Sequence, residues 1–343
     1  MNVLSIKSLK KSFGNQQVLK EITFDVLKGQ LLAIVGPSGV GKTTLLRIIA
    51  GLERPDSGTI LINNIEVEGK NFIKPQKRNI SYVFQNAALF PSQNVLNNVA
   101  MVIKSKQKNK LAKTYLELLK IEHKAKKYPF ELSGGEQKRV AIARALAAEP
   151  NLILMDEPFA SIDESSRQSI RSDIKEVFKS LNISAVMVTH DIDEALSFPD
   201  VLAVLLDGTI EQTGSPFDIY KNPKNIKVAK FLGHRNFIKA TIKDHKAISA
   251  IGEFALKYNP NYQQAILLIP AEDISVLPDP TSNIVVKEIK ANYFGHDWLI
   301  ELNLLVDSNF IHTIYLRSSN QLTIPTGTQV KFLLKEQPKI YEA

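Results

Sequence analysis

Through about the first 230 residues, short apolar runs alternate with amphipathic stretches, the pattern of an α/β domain built on a largely parallel sheet. Residues 30–35 read as a buried strand feeding a glycine-rich turn, and 43–50 as the helix that follows. A second buried strand is expected over 151–155. After it, Ile170, Ile174, Val177 and Leu181 recur at helical spacing on a helix from about 163 to 181. Residues 184–189 give a third strand, and 201–206 with 209–212 a hairpin around Asp207-Gly208. Between about 95 and 134 no strand pattern appears. Leu111, Tyr115, Leu118 and Leu119 point there to inserted helices.

From about residue 235 the helical pattern gives way to short β-rich segments at 237–242, 264–269, 284–289, 299–305, 310–316 and 329–334. Turn residues such as Asn259-Pro260-Asn261 and Pro278-Asp279-Pro280 separate them. This spacing predicts a small barrel or sandwich. Two domains are therefore expected, 1–234 and 235–343.

A chain of 343 residues accommodates two domains. Its 44% hydrophobic and 23% charged residues are those of a folded globular protein, not a disordered one. No apolar run approaches the roughly 20 residues that span a bilayer. The segment 1–13 lacks the apolar core and cleavage site of a signal peptide. A cytosolic address is expected, with any membrane role arising through a partner. The absence of cysteine excludes disulfide frameworks, thiolate zinc sites and thiol catalysis. The net charge of +8 suits nucleic acid, anionic headgroups or a polyphosphate ligand, although solvated lysines on helical faces, as at 104–110 and 123–127, give the same total.

Gly36-Pro37-Ser38-Gly39-Val40-Gly41-Lys42-Thr43-Thr44 fits G-x-x-x-x-G-K-[ST] between a strand and a helix. Glycines there let backbone N–H groups wrap phosphates at a helix N-terminus, where the dipole favours negative charge. Lys42 would reach the β- and γ-phosphates of ATP, and the Thr43 hydroxyl would ligate Mg²⁺. The apolar run 152–155 ends in Asp156-Glu157-Pro158. Asp156 is then placed to hold Mg²⁺ through its waters, and Glu157 to polarise an attacking water.

Leu132-Ser133-Gly134-Gly135-Glu136-Gln137-Lys138-Arg139 opens a further helix that ends just before the Asp156 strand. Ser133 suits a helix N-cap, and two glycines permit close approach to a phosphate. Together with the loop at 36–44, this segment resembles the signature of the ATP-binding subunits of ABC transporters. The resemblance implies a P-loop ABC ATPase domain with an inserted helical subdomain at about 95–134. In that family Ser133, Gly134 and Gly135 would close over ATP held by a second subunit, either another copy or a homologous ATPase. Position by position, it implies that Gln85 contacts Mg²⁺ and a transmembrane partner and that His190 holds the γ-phosphate and the water. Asp163 would belong to the D-loop segment Ala160-Ser161-Ile162-Asp163, with Ile162 where leucine is usual. Phe13 matches a ring that stacks on adenine; an ordinary core phenylalanine is the alternative. Glu136 replaces a glutamine, a change often seen in the importer branch.

In the tail, Ile269-Pro270-Ala271-Glu272-Asp273-Ile274 resembles an element of TOBE domains, small β-barrels appended to importer ATPases, with departures at Ile269 and Ala271. Segments 77–80 and 88–91 also resemble importers of sugars, polyamines, ferric iron, sulfate or molybdate. The implied function is ATP hydrolysis, with Mg²⁺, that energises import through a separate membrane permease. A solute-binding protein outside the membrane would deliver cargo, and the ATPase would sit on the inner membrane face. A nucleic-acid-associated ABC protein is the competing class, but the tandem cassettes, long coiled coils or cysteine modules of that kind do not appear in the sequence. No nucleic-acid partner is expected. A generic P-loop kinase would lack the Ser-Gly-Gly segment. Leu89-Phe90-Pro91, just after Gln85, read either as a minor core lid or as an exposed patch for a partner.

Overall fold

The computed structural model describes residues 1–343 apart from 161, 258–259, 295–296 and 307–309. Ser161 of the D-loop segment and Asn259 of the expected turn lie outside the described residues. Two compact units result, Met1–Tyr220 and Lys221–Ala343. The division falls ahead of the 234 expected from sequence, because the segment after Tyr220 bonds to the C-terminal strands. Lys221 Nζ lies 2.8 Å from Asp273 Oδ2, and Tyr341 OH donates to Pro223 O at 2.8 Å.

The first unit opens with strands β1 (Asn2–Phe13) and β2 (Gln16–Leu27), then β3 (Leu31–Val35), which runs into helix α1 (Lys42–Ala50). Strands β4 (Ser57–Ile62), β5 (Ile65–Glu68) and β6 (Ile80–Val83) precede the inserted helices α2 (Val95–Ala100) and α3 (Lys108–Leu118) and the long α4 (Gly134–Ala147). Strand β7 (Leu152–Asp156), helix α5 (Glu164–Ser180), strand β8 (Ala185–Thr189), helix α6 (Ile192–Ser197) and the hairpin β9 (Val201–Leu206) and β10 (Thr209–Gly214) follow. One sheet has the order β10-β9-β3-β8-β7-β6 and is parallel except at β10. Every residue of β3, β7 and β8 is buried, as in strands covered on both faces, which is why they read as unbroken apolar runs.

The expected parallel sheet is only one of two in this unit. The other, β2-β1-β4-β5, is antiparallel and was not anticipated. Register shifts along β1 and β2 break the strict alternation by which such strands are recognised. Helix α1 joins the two sheets: Leu45, Ile48 and Ile49 share one core with Ile6, Ile22 and Ile60 and with Ile34, Leu154 and Val188.

Two helical faces differ from expectation. On α3 the buried residues are Ala112 and Leu116, with Leu119 just beyond, while Leu111 faces solvent. On α5, Phe178 takes the place expected of Leu181, which is an exposed C-cap. On α3 apolar residues outnumber buried positions, and after α5 Leu181 continues the apolar spacing past the last helical residue, so spacing alone admits more than one stripe.

The second unit is antiparallel throughout. A five-stranded sheet orders Gly252–Ala255, Lys246–Ser249, Asn236–Lys243, Gln264–Ile269 and Lys339–Glu342; a three-stranded sheet holds Ile284–Phe294, Asp297–Val306 and Phe310–Ser318; Ile274–Pro278 pairs with Val330–Leu334. All three sheets contribute to one core, with Ile238, Leu267, Val276, Val286, Leu302 and Phe332 in it. This is a small barrel-like β domain. Each expected segment forms a strand; Lys246–Ser249, Gly252–Ala255, Ile274–Pro278 and Lys339–Glu342, four or five residues each, are too short to be seen in advance. Asn236 locks two of the sheets, donating to Ile269 O and Tyr315 O and accepting from Tyr315 N.

Candidate nucleotide site

The buried strand β3 delivers the chain to Gly36, where an added Cβ would lie 2.2 Å from Leu205 O. Gly41 caps α1 with φ 107°, and a Cβ there would meet Val18 at 2.7 Å. Both positions therefore require glycine for close backbone approach and, at Gly41, for the left-handed turn. Lys42 folds back over the loop and donates to Gly36 O at 2.7 Å and Pro37 O at 2.8 Å. Burial lowers the affinity of its amine for a proton, and the nearby charges of Glu157 and Asp156 oppose that shift.

Strand β7 ends at Asp156, which is gripped from two sides. Thr43 Oγ1 donates to Oδ1 at 3.0 Å and Tyr82 OH to Oδ2 at 3.1 Å. Burial first, and the Asp156 charge second, push the Tyr82 phenol far above its ordinary pKa, so it remains a donor. The next residue, Glu157, has φ 44°, a left-handed backbone that costs a non-glycine residue on the order of 1 kcal/mol or more and is held by surrounding structure. Its N–H donates to Val188 O of β8 at 3.0 Å. Its side chain joins two other predicted residues: Oε1 lies 2.8 Å from His190 Nδ1, and Oε2 accepts from Gln85 Nε2 at 3.0 Å. Lys42, Thr43, Gln85, Asp156, Glu157 and His190 thus meet at the strand ends of one sheet.

The remaining predicted residues form a second group. Ser133 caps α4, accepting from Glu136 N at 3.3 Å while Glu136 Oε2 accepts from Ser133 N at 2.8 Å. Asp163 caps α5 by accepting from Ser166 N at 3.0 Å. Ser133, Gly135, Glu136, Arg139, Asp163 and Ser166 line a shallow cleft in which no phosphate-loop residue takes part. Gly135 has a packing reason as well, since a Cβ there would lie 2.6 Å from Ile170 Cδ1. Phe13 is 49% exposed, which rules out the core alternative, and Lys11 Nζ stands 4.8 Å from its ring centroid.

Beyond Gln85, side chains of the inserted helices and α4 hold the loop. Lys138, fully buried, donates to Phe84 O at 3.1 Å and also to Gln85 O; burial lowers its pKa to about 8. Arg144 Nη2 donates to Ala87 O at 3.2 Å, and its guanidinium lies 5.7 Å from the Phe90 ring. Buried Asn98 accepts from Phe90 N and donates to Phe90 O, Gln93 O and Asn94 O. Phe90 itself is 47% exposed, so its ring does not serve as a core lid. Tyr82 and Lys138 escaped the sequence reading. The sequence identifies Ser133 as an N-cap, and the Ser133-x-x-Glu136 spacing, which also marks a capping box, gives Glu136 its role.

Comparison with known proteins shows the family. A family model described as ABC transporter matches residues 19–160. The spermidine/putrescine import ATP-binding protein PotA of Marinobacter nauticus is 37% identical over 309 residues, spanning 85% of this chain and 82% of that protein. The chain belongs to the ATP-binding subunits of ABC transporters. It is an ATPase of the group that serves import. The Fe(3+) ions import ATP-binding protein FbpC 1 of Rhodococcus jostii is 36% identical and spans 95% of both chains, so the likeness reaches through the β domain. The sulfate/thiosulfate import ATP-binding protein CysA of Neisseria meningitidis is 41% identical over 269 residues, 76% of this chain and 74% of that protein. Among solved structures, a dimeric post-hydrolysis state of the ATP-binding cassette MJ0796 bound to ADP and Pi aligns with a TM-score of 0.55 and 32% identity, covering 62% of this chain and 98% of that one. The cbiO1 protein of Clostridium perfringens, part of the ABC transporter complex cbiONQ, gives 0.59 and 30%, over 64% and 91%.

Proposed function

We propose that in this import ATPase Glu157 polarises the attacking water, His190 orients Glu157 and the γ-phosphate, and Lys42 neutralises charge on the phosphates. The observation that carries this reading is the Glu157 carboxylate held between His190 and Gln85, one residue after the carboxylate that Thr43 reaches. Gly36, Pro37, Ser38, Gly39, Val40, Gly41 and Thr44 shape the phosphate cradle, and the exposed Phe13 ring receives the adenine. Both Glu157 oxygens accept hydrogen bonds. Displacement of the neutral Gln85 amide frees Oε2 to take a proton from water, while Oε1 stays on His190. That links catalysis to the segment Gln85 begins.

Thr43 and Asp156 fit Mg²⁺. A hydroxyl and a carboxylate 3.0 Å apart beside the phosphate loop are hard oxygen donors of the kind that bind this ion together with substrate phosphates, not as an all-protein cage. Gln85 completes the protein's contribution. When bound, Mg²⁺ supplies positive charge against the charge that develops on the transferred phosphoryl group.

The cleft of Ser133, Gly135 and Asp163, with Gly134 beside it at the helix start, serves the nucleotide of a second subunit, because phosphate-loop residues of its own chain do not line it. ATP binding closes that dimer and hydrolysis resets it. No helix among the described residues is long and apolar enough to cross a membrane. Attachment to the inner membrane face then comes through permease subunits docked at Phe90, with a solute-binding protein outside delivering cargo. Residues 1–220 make the ATPase domain and 221–343 a TOBE-like domain, with 221–234 going with the β strands. Glu157→Gln is the direct test: it keeps Mg·ATP binding, loses most turnover and elutes as an ATP-bound dimer on a sizing column. Wild-type hydrolysis by this variant refutes the assignment of Glu157.

A further inference from the structure

Asp156 is held at both oxygens, but only one of the two bonds comes from the phosphate loop. The other comes from Tyr82, on β6, where it pairs in parallel register with Leu154 of β7. The ring is fixed by its neighbour: Phe84 lies 4.4 Å away, centroid to centroid, at a tilt of 39°. An ionised carboxylate only accepts hydrogen bonds, so the phenol is the donor. Its bond to Oδ2 leaves Oδ1 on the Thr43 side.

We propose that Tyr82 is a positioning residue for the metal step: its hydroxyl fixes the rotation of the Asp156 carboxylate so that Oδ1 faces Mg²⁺ beside Thr43. This rests on reading Thr43 and Asp156 as the Mg²⁺ side of the ATP site. A carboxylate bonded on one side only can rotate about Cβ–Cγ, and that freedom must be lost again whenever the ion binds. Hydrogen bonds that orient a metal-binding group typically change metal affinity about 10- to 100-fold. A tyrosine that merely filled space would show no such dependence on the metal.

The test uses the full chain as wild type, Tyr82→Phe and Asp156→Asn. Tyr82→Phe keeps the ring and removes only the hydroxyl. Calorimetry gives the affinity for a non-hydrolysable ATP analogue in EDTA and in saturating Mg²⁺, and steady-state hydrolysis gives the Mg²⁺ dependence. The expected result is unchanged affinity in EDTA and a loss of about tenfold in the affinity measured with Mg²⁺. The Mg²⁺ concentration for half-maximal hydrolysis rises, while kcat at saturating Mg²⁺ falls less. Equal weakening with and without Mg²⁺ overturns the proposal in favour of a structural role, and unchanged affinity in both overturns it outright. If Asp156→Asn keeps its full Mg²⁺ response, the reading of the metal side itself fails. If that variant loses the response and Tyr82→Phe does not, only the role of Tyr82 fails.

Discussion

Glu157 has a left-handed backbone, and its N–H and its two carboxylate oxygens bond to β8, His190 and Gln85, which together set its position. Lys138 supports the last of these from beneath, through the carbonyls of Phe84 and Gln85. Lys138→Met keeps the length of the side chain but removes a buried cation and both bonds. Unpaired carbonyls cost about 1 kcal/mol or more each, while relief of the cation's desolvation offsets much of that. Stability in a denaturant titration is expected to change by less than about 2 kcal/mol, whereas kcat falls about tenfold or more as Gln85 loses its anchor. Unaltered kcat in a folded variant would exclude that support. Lys42, Thr43, Asp156 and Glu157 were legible because each sits in a short motif whose spacing encodes its role. Tyr82 and Lys138 were not, since their partners lie 74 and 53 residues away in sequence and no local pattern marks them.

At the scale of elements, the loop that follows Gln85 is shaped by α2 and α4 and contributes little order of its own. Asn98, Arg144 and Lys138 fix its backbone and leave the Phe90 ring outside. Phe90→Asp is therefore expected to fold normally and to hydrolyse ATP in isolation at near the wild-type rate. Co-purification with the cognate permease is expected to be lost; normal assembly and transport would place the docking surface elsewhere. Strands β3, β7, β8 and β9 were plain in the sequence because their burial leaves unbroken apolar runs, whereas β6, only partly buried, was not. On α3 and α5 an extra leucine at the surface, Leu111 and Leu181, blurred which stripe faces inward. The antiparallel sheet was hidden by bulges, and the edge strands of the C-terminal unit by their brevity.

Over the whole molecule, two groups of residues face one reaction from different places: the phosphate-loop group and the Ser133 cleft. If they act on one nucleotide across two subunits, damage to each should complement. Lys42→Ala removes the phosphate contact, and Ser133→Asp sets a carboxylate against the phosphates at an exposed N-cap that accepts Asp as readily as Ser. Each variant alone is expected to be inactive, and a mixed dimer to regain about half of wild-type hydrolysis or less from its one intact site. Heterodimers as inactive as both parents would rule out the shared site. Ser133 stands at the first turn of the same helix that carries Lys138 and Arg144. The loop that carries Phe90 and the Ser133 end are thereby tied to one helix. A push on the ring is therefore expected to arrive at the Ser133 end as a shift of the whole of α4.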